Sequence, residues 1–372
     1  MQYDQPTSAT EFTKDLAANT AISDETKSAI DALLGDSESV TISSWDGQSA
    51  GTSQANPDVV IAQIASPADE SPALFKAAVA SSNAVDLNLP DAAVYTAHTW
   101  IFDSKADLNI DLIAVDDRVI VGGDGNDSIN VFGDANVVVE GGAGNDSITT
   151  GGGNDTIVAG VGNDTIDAGA GFDTVQFSGS ASDYDFEVKD GVLTATRSVT
   201  TSDTVTDGDT TTTTTTTSVD STTLIKGAEI LTFGDGSDTV AIVGDEAHAE
   251  VIRLYEVLLD RSADTAGAEF WLEQYDAGVS LHDIANSFLS SAEYQAQGET
   301  DNVEFLNSLY QDAFGRQGDY NGVAYWLDQL DQGASRADVA AGFAVSDEAA
   351  ITIDNVIIVT GQDTTDNGEG TA

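Results

Sequence analysis

Apolar and polar positions follow different rhythms along this chain, and the changes of rhythm divide it. Residues 1–92 are a small mixed α/β region. Ser23 stands ahead of an apolar stripe, Ile30, Leu33 and Leu34, that stops at Gly35, which predicts a helix over 24–34 with a serine N-cap and a glycine stop. Ser71-Pro72 opens a second candidate helix through Leu74, Phe75 and Val79, and Val59-Val60-Ile61-Ala62 reads as a short buried strand. From 93 the apolar residues fall into β patterns: Val94-Tyr95, Trp100-Ile101-Phe102, then the alternation Leu108-Asn109-Ile110-Asp111-Leu112, and Val119-Ile120-Val121.

Over 122–176 the rhythm becomes a repeat of nine. Gly122-Gly123-Asp124-Gly125-Asn126-Asp127-Ser128-Ile129-Asn130 fits G-G-x-G-x-D-x-U-x, where U is apolar. An irregular ten-residue segment follows, 131–140, with Asn136 near the aspartate position and Val138 at the apolar one. The motif then recurs without a gap at 141–149, 150–158, 159–167 and 168–176, with aspartates Asp146, Asp155, Asp164 and Asp173 and apolar residues Ile148, Ile157, Ile166 and Val175.

Residues 181–245 form a β-rich flanking segment. Tyr184–Val188 and Val192–Thr196 are separated by Asp190-Gly191, a hairpin signal. Leu224-Ile225 and Ile230–Phe233 are further strand-like runs, and the threonine-rich stretch 200–223 that precedes them reads as a mobile, solvated hairpin tip or loop. Residues 246–350 are helical in pattern and duplicated. Tyr255, Arg261, Asp264, Gly267, Trp271, Leu272, Gln274, Gly278, Ser280, Asp283, Ala285, Phe288 and Ser291 all recur 55 residues later. Asp264 and Asp319 are expected to cap helices that Gly278 and Gly333 end. The tail, 351–372, carries an apolar patch, Val356-Ile357-Ile358-Val359, and an acidic end, a possible secretion signal. The fold class expected is therefore multidomain β plus α.

Charge changes the picture. Twelve Lys and Arg against sixty-four Asp and Glu leave a net charge of −52. Self-repulsion on that scale opposes compaction unless counter-ions bind, and nothing offers a basic surface to nucleic acid or anionic lipid. Cysteine is absent, which excludes disulfide staples and Cys-based zinc sites. The first residues lack a basic and then apolar leader, and no stretch has the length of a membrane span, so neither cleavage nor insertion is expected.

The nonapeptide supplies candidate chemistry. Its glycines permit tight turns that aim carbonyls at one point, and its aspartate adds a carboxylate oxygen. Calcium takes oxygen ligands of both kinds, more than one turn can offer, so stacked turns must share each ion. The candidate metal residues are Gly123, Gly125, Asp127, Gly142, Gly144, Asp146, Gly151, Gly153, Asp155, Gly160, Gly162, Asp164, Gly169, Gly171 and Asp173. Two nonapeptides per coil would pair Asp127 with Asp146, Asp146 with Asp164, and Asp155 with Asp173, with a weaker site joining Asn136 to Asp155. Without metal, carboxylates stacked about 4.8 Å apart repel, and the segment is expected to be unfolded.

Residues 122–176 resemble the RTX (repeats-in-toxin) family. That resemblance implies a right-handed parallel β-roll, placed at 93–180, and export by type I secretion with an uncleaved C-terminal signal. It also implies folding outside the cell, where calcium is high. The helical part resembles a bacterial domain of unknown function that accompanies such repeats and occurs in surface-layer and other secreted proteins.

The function expected is structural: a secreted calcium-binding protein that self-associates into a surface layer, fibre or biofilm matrix. A calcium-dependent adhesin for cell-surface glycan is the alternative, with Trp271 and Trp326 as stacking platforms. An enzyme is not expected. H-E-x-x-H and G-x-S-x-G are absent, and His98, His248 and His282 are scattered.

Overall fold

The computed structural model describes residues 7–19, 22–34, 39–40, 42–45, 59–64, 85–87, 98–207, 210–234, 236–298 and 301–360. The expected helix at 71–79, the run Val94-Tyr95 and the acidic end of the tail lie outside them. The described residues fall into two compact units, one up to residue 228 and one from residue 229 to residue 360.

In the first unit, strand β1 (Thr7–Ser8) leads into α1 (Ala9–Ala17) and α2 (Asp24–Leu34), and β2 (Ser39–Val40) pairs with β1. Ser23 caps α2 as expected, its Oγ accepting the Thr26 N–H at 3.1 Å. The chain then winds between two sheets. In order come β3 (Ile42–Trp45), β4 (Val59–Ile64), β5 (Val85–Asp86), β6 (Thr99–Ser104), β7 (Leu108–Ile113), β8 (Arg118–Gly123) and β9 (Ser128–Phe132). After them come β10 (Val137–Gly142), β11 (Ser147–Thr149), β12 (Thr156–Val158), β13 (Thr165–Asp167) and β14 (Thr174–Phe177). One sheet runs β3-β4-β6-β8-β10-β12-β14 and the other β5-β7-β9-β11-β13, every ladder parallel. This is a parallel β-roll, and its ladders reach back to Ile42, well ahead of residue 93.

Each coil contributes inward apolar residues to both sheets, and these stack in columns. Trp100, Ile120, Val139, Ile157 and Val175 form one column, and Ile110, Ile129, Ile148, Ile166 and Ile225 the other. All ten are buried, and a fully buried aliphatic side chain contributes roughly 1.5–3 kcal/mol. The helices cover part of the outer face of the first sheet: Phe12, Leu16, Ile22 and Ile30 pack with Val59, Ile101, Val119 and Val121. The buried Glu140 of β10 fastens α2 there, its carboxylate accepting the Ser23 N–H at 3.0 Å.

The hairpin at Asp190-Gly191 forms as expected. Both residues have positive φ, 53° and 78°, and they join β15 (Tyr184–Lys189) to β16 (Val192–Asp207). The threonine-rich stretch takes the hairpin alternative and not the loop, and its strands run much further than a tip. The stretch is strand, with β16 paired antiparallel to β17 (Thr210–Lys226) from Leu193–Ile225 out to Asp207–Thr210. Threonine is β-branched and stiff at χ1, so a run of it favours the extended chain even where both faces are polar. The root of β17 closes the second sheet, with Leu224 and Ile225 in register with Thr165 and Ile166.

In the second unit, β18 (Ile230–Phe233) and β19 (Asp238–Val243) pair antiparallel, and β20 (Val356–Ile358), the apolar patch of the tail, lies parallel to β19. Between them run α3 (Glu246–Leu259), α4 (Thr265–Asp276), α5 (Leu281–Leu289), α6 (Ala292–Gln297), α7 (Asn302–Phe314), α8 (Tyr320–Asp331), α9 (Arg336–Ala344) and α10 (Ala349–Thr352). The duplicated residues have duplicated jobs. Asp264 and Asp319 cap α4 and α8, Ser280 and Ser335 cap α5 and α9, and Gly278 and Gly333 follow α4 and α8 with positive φ. Trp271 packs against Phe288 at 5.4 Å between ring centres, and Trp326 against Phe343 at 5.6 Å. Arg261 holds Glu293 at 2.6 Å and Arg316 holds Glu348 at 2.7 Å. These glutamates are also 55 residues apart, a further pair in the repeat.

Candidate metal centre

The turns of the roll stack the repeat residues into rows. In the first row Asp127, Asp146 and Asp164 follow one another coil by coil, and each carboxylate reaches back to the coil before it. Oδ1 of Asp127 accepts the Leu108 N–H, that of Asp146 the Asp127 N–H, and that of Asp164 the Asp146 N–H, at 2.8, 2.8 and 2.9 Å. In the second row Oδ1 of Asp155 accepts the Val137 N–H and that of Asp173 the Asp155 N–H, both at 2.8 Å. The expected pairs are therefore neighbours in the fold.

The fourth pair needs correction. Val137, not Asn136, occupies the aspartate position of the irregular segment, and the inward apolar residue is Val139, not Val138. Val131 is an extra residue that lengthens that coil, so 132–140 form a degenerate nonapeptide in register with 150–158. Asn136 belongs to a separate ladder on the residue preceding each aspartate. There Asn145 N–H donates to Asn126 Oδ1, Asn163 to Asn145 and Asn154 to Asn136, each at 2.8 Å. One coil earlier, Arg118 shares the register of Val137. The second row thus reads Arg118, Val137, Asp155, Asp173.

The predicted glycines hold the coils at contact. A Cβ on Gly142 or Gly160 would overlap the carbonyl oxygen of Gly123 or Gly142 beneath it, and one on Gly169 that of Gly151. The same holds for Gly125 on Ala106, Gly144 on Gly125, Gly162 on Gly144 and Gly171 on Gly153, while Gly153 lies over Ala135 and Gly123 over Phe102 and Ser104. Their carbonyls consequently face the next coil in columns beside the carboxylates.

The second oxygens carry the chemistry. Oδ2 of Asp127, Asp146, Asp155 and Asp164 is buried with no hydrogen-bond partner, although an unpaired buried carboxylate oxygen is strongly disfavoured. A Cβ on Gly141 would lie 2.5 Å from Oδ2 of Asp146 and 2.7 Å from the carbonyl oxygen of Ala159, so the bare glycine leaves an oxygen-lined space between coils. At Asp155 the first repeat position is Thr150 instead; its buried hydroxyl donates to the Ala168 carbonyl at 2.6 Å.

Burial raises the carboxyl pKa of Asp127, Asp146 and Asp155 to about 7 and that of Asp164 to about 6. The charges of Asp127 and Asp164 push Asp146 up further. A carboxyl raised in this way binds its proton more tightly in the folded than in the unfolded chain. The metal-free coils therefore lose stability as pH climbs from the ordinary carboxylate range towards 7. A tenfold difference in proton affinity between the two states corresponds to about 1.4 kcal/mol, so together these groups oppose the neutral metal-free fold by several kcal/mol.

Comparison with known families agrees with this geometry. Residues 119–139 and 140–175 match the model of the RTX calcium-binding nonapeptide repeat, and residues 244–298 and 285–352 match a domain of unknown function, DUF4214. No curated protein and no solved structure matches the chain. The repeats are calcium-binding repeats. When bound, calcium supplies a divalent charge and gathers about six to eight oxygens, carboxylate and carbonyl alike. The residues fit that demand: unpartnered Oδ2 atoms, columns of carbonyls, and a gap at glycine. Among the described residues no cluster of three or more His, Cys, Asp or Glu side chains is arranged to hold a metal.

Two of the histidines lie in the helical unit. His248 sits between Asp245 and Asp276 at 2.8 and 2.9 Å, and His282 meets Asp338 at 2.8 Å. Among the described residues no helix is long and apolar enough to cross a membrane.

Proposed function

We propose that this chain is an exported structural protein that folds around calcium outside the cell and assembles into a surface layer, an extracellular fibre or a biofilm matrix. Asp127, Asp146 and Asp164 in the first row, and Asp155 and Asp173 in the second, hold the ions together with carbonyls of the candidate glycines. The observation that carries the reading is the set of buried, unpartnered Oδ2 atoms in a chain of net charge −52. Such a chain stays open where calcium is scarce and closes where it is plentiful. That direction suits passage through a type I exporter before folding. At a hundredfold excess of free ion over Kd, each independent site adds about 2.7 kcal/mol, so a few sites match the net stability of a domain.

An assembling role suits the two tryptophans better than glycan stacking does, because Trp271 and Trp326 already pack on Phe288 and Phe343. Electron microscopy of the purified chain with and without millimolar calcium tests the reading. Fibres or sheets that form with calcium and dissolve in chelator support it. A dispersed protein that binds arrayed glycans in calcium would replace it with the adhesin.

A further inference from the structure

The aspartate pairs of the two rows are not equivalent, and the difference lies in the first residue of each repeat. Gly122 and Gly141 open the repeats of Asp127 and Asp146, whereas Thr150 opens that of Asp155. At the two first-row glycines the geometry is the same. A Cβ on Gly122 would meet the carbonyl oxygen of Gly141 and, at 2.8 Å, Oδ2 of Asp127. One on Gly141 would meet the carbonyl oxygen of Ala159 at 2.7 Å and Oδ2 of Asp146 at 2.5 Å. Each such point lies between a carboxylate of one coil and a carbonyl of the next. Its distance from them is close to that of calcium from its oxygen ligands, about 2.3–2.6 Å. A side chain at the first position therefore competes with the ion for one place.

In the second row that place is taken. Thr150 is buried, and its hydroxyl donates to the carbonyl of Ala168 at 2.6 Å. Ala168 opens the next repeat of this row, as Ala159 does in the first. Thr150 also stands beside the carboxylate: burial raises the Asp155 carboxyl, while the Val137 N–H and the Thr150 side chain draw it back down. A hydroxyl has one proton, and this one goes to Ala168, so Oδ2 of Asp155 is left without a hydrogen bond. The threonine thus fills the gap that stays open at Gly122 and Gly141. For calcium to enter, a buried hydrogen bond must break and the side chain must move. The loss of one such bond changes affinity by roughly tenfold.

We infer that Thr150 makes the site shared by Asp155 and Asp173 the weak one, so that the first row fills at low calcium and the second only at higher calcium. The inference rests on the calcium-gated folding proposed above and ranks the sites through which it acts. It makes Asp146, which belongs to both first-row pairs, the centre of the tight sites.

Calcium binding to the full chain, measured by competition with a chromophoric chelator, resolves the two classes. The wild type is expected to bind two ions tightly and a third about tenfold more weakly. Thr150→Gly should bring the third ion into the tight class, whereas Thr150→Ser, which keeps the hydroxyl, should not. Gly141→Thr carries the obstacle into the first row and should remove one tight ion, while circular dichroism still reports folding in calcium. If one of the two glycine exchanges fails to fold, the other decides; if both fail, the wild-type classes decide. Three wild-type ions of one affinity, or a Thr150→Gly chain whose third ion stays weak, overturn the inference and leave calcium-gated folding standing. A chain whose fold is the same with and without calcium overturns the proposed function instead.

Discussion

The Oδ1 oxygen of Asp146 accepts the backbone N–H of Asp127 at 2.8 Å, while Oδ2 of the same carboxylate is buried without a hydrogen bond. One oxygen ties a coil to the coil before it, and the other is left for a cation. Because Asp164 in turn accepts the Asp146 N–H, Asp146 has a carboxylate neighbour on each side. Asp127 has one in its row, with Leu108 on the other side. Replacing Asp146 by Ala should therefore raise the calcium midpoint of folding more than replacing Asp127, by about tenfold or ~1.4 kcal/mol. Calcium titrations followed by circular dichroism check this. Equal midpoints would count against ions shared between stacked turns.

Val137 offers the converse experiment. It occupies an aspartate position, is 2% exposed, and donates its N–H to Asp155 Oδ1. Val137→Asp should lower the stability of the metal-free chain, because it buries another carboxylate, and should add one calcium to the binding stoichiometry. Equilibrium dialysis measures the count. An unchanged stoichiometry would show that the second row needs more than a carboxylate at this place.

That position also marks where the sequence stops being legible. The glycine and aspartate spacing exposes the roll, its rows and its pairs, because each residue there has one steric or charge role that spacing alone reveals. The register of 132–140 is hidden, since its first glycine, third glycine and aspartate are replaced by Phe132, Ala135 and Val137 and Val131 shifts the frame by one. The hydrogen bond from Val137 to Asp155 reveals it. The length of the threonine ribbon, which reads as a hairpin tip or loop, is hidden for a related reason: with no apolar alternation to mark a face, only β-branching signals strand. Strands before residue 93 pair through isolated apolar runs that carry no repeat. In the helical unit the Arg261–Glu293 and Arg316–Glu348 pairs stand at the repeat offset, but only their contact gives them meaning.

The second unit should respond to pH independently of calcium. Burial pulls the His248 imidazole down, but its hydrogen bonds to Asp276 and Asp245 outweigh that and raise its pKa above the usual value. A raised histidine stabilises the fold fully below its unfolded pKa and loses that contribution as pH rises through the folded one. Melting of the helical signal should therefore be higher near pH 6 than near pH 8, and His248→Gln should shrink the difference. A difference that the substitution leaves intact would assign it to other groups.

The central claim is that cations permit the roll to close over its own carboxylates. Thorough chelation followed by thermal melting, read at wavelengths that separate strand from helix, tests it most directly. The account predicts that the roll's share of the strand signal and its transition disappear without calcium and return on its addition, while the transition of the helical unit remains. An unchanged strand spectrum and an unchanged melting temperature after chelation would contradict it.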